Sequence, residues 1–147
     1  MAIMLGTYTF DEARTAVSEK HEEIGGQDAR TILLAGMLEG LSTVEGLEAE
    51  LDAILAAASE SEETPLSLRT GRRLLVRRTS FRREVQRQPL SAAFKLELEA
   101  RNPYEEAETP TTTNWTVTES GATCAIDVAG TVSSRPRIRL VASGDIV

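Results

Sequence analysis

The chain has 147 residues, 16 basic against 23 acidic side chains, a net charge of −7 and an apolar content of 41%. That length allows one domain with a real core plus a small appendage and excludes two full domains. The apolar content excludes disorder throughout, and the acidity argues against free binding to nucleic acid or an anionic membrane.

With aromatic residues at 4%, the core has to be built mainly from Leu, Ile, Val and Ala. Cys124 is the only cysteine, so an intrachain disulfide and a CxxC zinc site are excluded. It reads as a small buried side chain in an alternating run. "MAIMLG" is too short for a signal-peptide core, and no apolar run approaches the ~20 residues of a membrane span. A soluble, unprocessed protein made in a reducing cytoplasm is expected.

Along the chain, "IMLGTYTF" predicts one short strand, and "RTAVSEKHEEI" a mostly polar second one that ends at Gly25-Gly26. In "TILLAGMLEG", Ile32, Leu34 and Leu38 fall on one face and Leu33 and Met37 on the other, the pattern of a strand covered on both sides. Val44, Leu47, Leu51, Ile54, Leu55 and Ala58 recur at three- and four-residue spacing and predict a helix over about 43–59. Ser42 and Glu45 have the spacing of a capping box, which places the helix start at Ser42. "SESEETP" ends it, because the acids repel one another and Pro65 cannot continue the turn.

"PLSLRTGRRLLVRRTSFRREVQ" reads as a bent hairpin turning at Thr70-Gly71, with a bulge expected where the alternation slips at Thr79-Ser80. Phe94, Leu96, Leu98 and Ala100 then alternate with Lys95, Glu97, Glu99 and Arg101, a strand with one wet face. Asn102-Pro103-Tyr104 stops that strand, since Pro103 removes a ladder donor and holds Asn102 extended. "EEAETPTTTN" reads as a linker, and three short strand-like runs follow: "WTVT", "CAIDVAG" and "RIRLVA". The expected architecture is α+β: a mainly antiparallel split β-barrel or sandwich with one flanking helix over 1–108, then a linker and short β-rich extension over 109–147.

Catalytic chemistry finds little support. His21 is the only histidine, and "HEEIGG" lacks the second histidine of a metalloprotease helix. The pairs Glu22-Glu23, Glu62-Glu63 and Glu105-Glu106 lie in runs of like charge with no sign of the desolvation that raises a catalytic pKa. Gly25-Gly26 is not followed by the Gly-Lys-Ser/Thr ending of a phosphate loop. No catalytic residue, metal or cofactor is expected.

The arginines depart from the ordinary. Arg69, Arg72, Arg73, Arg77, Arg78, Arg82, Arg83 and Arg87 stand against one acid, Glu84, a net +7 in a chain of net −7, so the remainder carries −14. Three readings stay open. A nucleic-acid surface would need interleaved aromatics, and only Phe81 is present. A solvated basic face is the plain alternative. A subunit interface would pair these guanidinium groups with carboxylates of another copy, for which Glu45–Asp52 and Glu60–Glu63 are the candidates.

The order "ARTILLAGMLEG", "TVEGLEAELDAILAA", "LSLRTGRRLLVRRTSFRREV" and "ARNPYEE" resembles the N-terminal domain of phage distal tail proteins, which closes with a strand ending in Asp-Pro-Tyr or a close relative. "AGTVSSRPRIRLVASGDIV", with Pro136, Ile138, Leu140 and Ser143-Gly144, resembles the opening of the second domain of that family. The resemblance implies a split barrel flanked by a helix, as in tail-tube subunits, with Pro103-Tyr104 stopping the closing strand and redirecting the chain outward. It also implies a six-fold ring at the tail tip that joins the tail tube protein to the baseplate hub or tip proteins. A virion location follows, with no membrane partner and no specific nucleic-acid binding, although DNA could pass through the ring. A small β-rich carbohydrate- or protein-binding module around Trp115 is the alternative, favoured if Trp115 is exposed; a hydrolase is a third.

Overall fold

The computed structural model describes residues 2–127 and 137–141. It divides into two units, Met1–Pro110 and Thr111–Val147. The first contains β1 (Ile3–Leu5), β2 (Tyr8–Phe10), β3 (Thr15–Ile24), β4 (Gln27–Glu39), α1 (Val44–Ala57), β5 (Thr64–Arg69), β6 (Arg72–Arg87), β7 (Leu90–Ala100) and β8 (Glu106–Ala107). Every pairing is antiparallel, in the order β2-β1-β5-β6-β7-β4-β3, with β8 added to β6. The result is a curled half-barrel with a single helix, the antiparallel α+β plan expected from the alternation.

β6 makes the curl. Its first residues, Thr64's partner Val76 among them, pair with β5, whereas Arg77–Arg87 pair with β7. The register shifts between Arg78 and Ser80, so Thr79 is the extra residue of the expected bulge. A bulge bends its strand and increases the local twist, which lets one strand serve both halves of the sheet. It also exchanges faces: Arg77 lies opposite Glu99 on the outer face, while Arg83 lies opposite Phe94, whose side chain points to the core. Arg73, Arg77 and Arg83 therefore do not share one face, as they would on a regular strand.

Inside the curl, Ile32 and Leu34 of β4, Leu96 and Leu98 of β7, Leu66 of β5 and Val76 of β6 are fully buried with Leu47, Leu51 and Ile54 of α1. A helix of 14 residues is marginal alone. Each large apolar side chain fully buried contributes about 1.5–3 kcal/mol, so the three anchors on its inner face hold it in place. The helix begins one residue later than the capping-box spacing places it. Thr43 is the N-cap, its hydroxyl oxygen accepting from Gly46 N at 3.1 Å.

Two glycine positions decide local geometry. Gly25 and Gly26, at φ +61° and +79°, form the two-residue loop between Ile24 and Gln27, a turn whose twist matches that of its strands and which needs positive φ at both centres. Gly36 lies opposite Phe94 on the core face of β4. A Cβ there would stand 2.7 Å from the Phe94 ring and 2.7 Å from the Arg14 carbonyl, the same carbonyl that accepts from Met37 N at 3.2 Å.

Other differences from the sequence reading have simple causes. "IMLGTYTF" is a hairpin, β1 and β2, because Gly6-Thr7 turns the chain and pairs Ile3 with Phe10. The presumed linker contains β8, in which Glu106 and Ala107 pair with Arg73 and Arg72. Its two residues carry no period; the free edge of β6 determines the pairing. In the second unit no described residue lies in a strand, Trp115–Thr118 included, and Val117 and Ile126 are exposed. Val128–Gly130 of "CAIDVAG", Ala142 of "RIRLVA", and Pro136, Ser143 and Gly144 lie outside the described residues.

Candidate interaction surface

Five of the eight arginines find carboxylates within their own chain. Arg69 pairs with Glu105, Arg73 with Glu106 at 3.7 Å, Arg77 with Glu63 at 3.9 Å, Arg78 with Glu60 at 3.0 Å and Arg83 with Asp52 at 2.8 Å. Arg78 also donates to the Leu55 carbonyl at 3.2 Å, which ties β6 to the end of α1. Asp52, Glu60 and Glu63, expected as partners on another copy, are thus engaged at home. Most of these pairs are solvent-exposed, and exposed pairs contribute only about 0–1 kcal/mol each. Among the described residues, Arg72, Arg82 and Arg87 have no carboxylate within 4 Å.

At the end of β7 the chain reverses. Asn102 Oδ1 accepts from Tyr104 N at 3.2 Å, an Asx turn around Pro103. Arg30 Nη1 donates to the Pro103 carbonyl at 3.4 Å and to Glu105 at 3.3 Å, and the same guanidinium binds Glu19 of β3. Glu105 in turn accepts from Arg69 at the end of β5. Beyond it, Glu108 N donates to the Gly71 carbonyl at 3.2 Å, and Ser67 Oγ donates to Glu108 at 2.9 Å. The Asn102-Pro103-Tyr104 stop does not send the chain outward at once; it folds residues 105–108 back onto β5 and β6.

On the outer face of the sheet, Leu33, Ala35 and Met37 of β4 stand in a row. Leu33 and Ala35 are half-buried and Met37 is 46% exposed, so the second face of this strand, which its sequence predicts to be covered, is open at Met37. Ala16 and Lys95 flank Ala35, and Arg82 lies opposite Lys95. Together with Ala93 these side chains line an open groove of about 860 Å³.

His21 is exposed on β3 beside Glu22 and Glu23. Hydrogen bonds from Lys20 at 2.6 Å and Thr31 at 3.1 Å hold the Glu22 carboxyl below its usual range. Tyr8 is held above its usual range by burial and by its 2.7 Å hydrogen bond to Glu50. Among the described residues, no group of three His, Cys, Asp or Glu side chains is arranged to hold a metal ion. No described helix is long and apolar enough to cross a membrane. Cys124 is half-buried, not enclosed, and Trp115 is 47% exposed. Composition singles out the arginines of residues 69–87 but not Arg30 and Glu19; the one available signal is that Arg30 stands two residues before Ile32, in phase with the core face of β4.

No family model and no curated protein matches the chain. Among solved structures, the SPP1 Dit (gp 19.1) protein, described as a paradigm of the hub adsorption apparatus in phages infecting Gram-positive hosts, is similar over 72% of this chain and 47% of that protein. The sequence identity is 11% and the TM-score 0.44. This chain spans about half the length of that protein.

Proposed function

We propose that this chain is a structural protein of a phage tail, acting at the tail tip as a ring of identical copies that joins the tail tube protein to the baseplate hub or tip proteins. The observation that carries the reading is the order of its parts. A strand apolar on both faces, a capped helix, a long arginine-bearing strand and a closing strand ending in Asn102-Pro103-Tyr104 follow the order of the distal tail domain that the sequence resembles. The curled antiparallel sheet around α1 is the architecture that order calls for. Its chemistry fits too: the charged side chains build ion pairs and turns, and the functional work is docking and self-assembly without a cofactor. A six-fold ring with a lumen wide enough for DNA is the arrangement we infer, with Arg72, Arg82 and Arg87 as the arginines available to other molecules.

Native mass spectrometry of the purified chain, together with detection of the chain in isolated tails, tests this. A ring mass and a fixed copy number per tail are expected; absence of the chain from purified particles overturns the reading. The exposure of Trp115 favours a second reading, a binding module whose site lies in the C-terminal unit. Saturable quenching of Trp115 fluorescence by a glycan, lost in Trp115→Ala, would establish it.

A further inference from the structure

The inner face of α1 is committed to the core, and its outer face is a stripe of a different kind. Glu45, Glu48, Ala49, Asp52, Ala53 and Ala56 are all exposed, so acids and small side chains share one side of the helix. On the other side of the sheet, the groove has a floor of Ala16, Ala35, Ala93 and Met37 and a wall formed by Arg82 and Lys95. Arg82 and Lys95 are directly opposite on neighbouring strands, an arrangement of like charges that is unfavourable unless an anion relieves it. Neither has a carboxylate within 4 Å among the described residues. Of the other charges on this side, Arg14 engages Asp11 and Glu39 and Arg83 engages Asp52, while Glu84 and Glu97 flank the Arg82–Lys95 pair along their strands without coming within 4 Å of either.

From this complementarity we infer that the outer face of α1 of one copy docks in the sheet groove of the next. Small side chains on both surfaces allow a helix to approach the sheet closely, and Glu45 and Glu48 supply carboxylates at the ion-pair distance that Arg82 and Lys95 do not find within their own chain. The dimensions agree. The stripe from Glu45 to Ala56 is about 17 Å long at 1.5 Å per residue, and the four strands β3, β4, β7 and β6 span about 14 Å at their usual spacing. The two surfaces lie on opposite sides of one sheet, so the contact is heterologous and propagates from copy to copy; closing it makes a ring. It also covers Met37, the large apolar residue that β4 leaves exposed. The inference rests on the ring proposed above and names its contact.

Charge exchange tests it. A groove variant, Arg82→Glu with Lys95→Glu, and a helix variant, Glu45→Lys with Glu48→Lys, alter only exposed side chains; each is expected to stay folded by circular dichroism and to need at least a tenfold higher concentration to associate. Mixed in equal amounts, the two should assemble again, since each groove then meets a helix of opposite sign. Carbodiimide coupling of isotopically labelled and unlabelled wild-type copies should join Lys95 to Glu45 or Glu48 between chains. Normal assembly of either variant alone, or failure of the mixture to assemble while the wild type does, overturns the docking and leaves the tail reading standing. A wild type that stays monomeric up to millimolar concentration and yields no mixed cross-link also overturns it; the tail reading falls separately, if the chain is missing from isolated tails.

Discussion

Arg30 and Glu105 meet across 75 residues of chain, their side chains 10% and 11% exposed. Because Glu105 also binds Arg69, one carboxylate joins β4, β5 and the segment that leaves β7. Removing one partner of a buried ion pair costs ~3–5 kcal/mol, because the other charge is left without its counter-ion. Here Glu19 still faces Arg30, so Glu105→Gln is expected to lose less, about 2–3 kcal/mol in urea unfolding. Glu60→Gln, which removes an exposed partner of Arg78, should lose about 1 kcal/mol or less. Equal losses from the two variants would show that Glu105 is merely another surface acid.

Gly36 permits the Phe94 ring to lie against the backbone of β4. Gly36→Ala adds a methyl with two neighbours at 2.7 Å, one of them a backbone carbonyl that cannot rotate away. Overpacking of this kind costs about 1–3 kcal/mol. Thermal unfolding should show the loss, and Phe94→Leu introduced alongside should recover only part of it, since the Arg14 carbonyl remains. Full recovery would mean that the ring alone sets the constraint.

The helix start separates two adjacent hydroxyls. Thr43→Ala removes the oxygen that accepts from Gly46 N and should cost about 1 kcal/mol in chemical denaturation. Ser42→Ala should change stability by a few tenths at most. The reverse result would restore the capping box at Ser42.

Most of the first unit was legible because strands with one wet face repeat every second residue. β7 is readable from Phe94 to Ala100, and the slip of alternation at Thr79-Ser80 gives the bulge. The hairpin within "IMLGTYTF" and the helix start at Thr43 are local matters of one turn and one hydroxyl; the other failures arise where the determining partner is far away in sequence. Glu106 and Ala107 have no pattern of their own, and only the open edge of β6 makes them a strand. The arginines were visible as a block, but their partners depend on where the bulge turns each side chain and on where α1 and its following loop come to rest. Arg30 carries no sequence signal of its role, because its partners Glu19 and Glu105 lie 11 and 75 residues away.

Glu22 offers a pH signature. Its carboxyl is held low chiefly by the Lys20 hydrogen bond, with Thr31 second. A carboxylate depressed in the folded state stabilises it above the unfolded-state pKa, and that contribution is lost as pH falls through the folded-state value. Lys20→Ala should therefore raise the Glu22 midpoint in a carboxyl-detected NMR titration towards that of an ordinary glutamate. An unchanged midpoint would assign the effect to Thr31, and Thr31→Val would then be the variant that moves it.

The return of the chain after Pro103 sets where the first unit ends. A cut after Pro110 keeps Glu105, β8 and the Ser67–Glu108 hydrogen bond, and it coincides with the boundary between the two units. A cut after Arg101 leaves β7 intact but strips Arg30 of Glu105 and of the Pro103 carbonyl, frees Arg69, and exposes the edge of β6 at Arg72 and Arg73. Residues 1–110 should unfold cooperatively at nearly the same denaturant midpoint as the full chain. Residues 1–101 should be less stable by more than the Glu105→Gln variant, because they lose the ladder bonds of β8 as well as the ion pairs, and an unpaired strand edge favours aggregation. Two fragments of equal stability would show that residues 102–108 only rest on the sheet, and the boundary would then belong at Pro103.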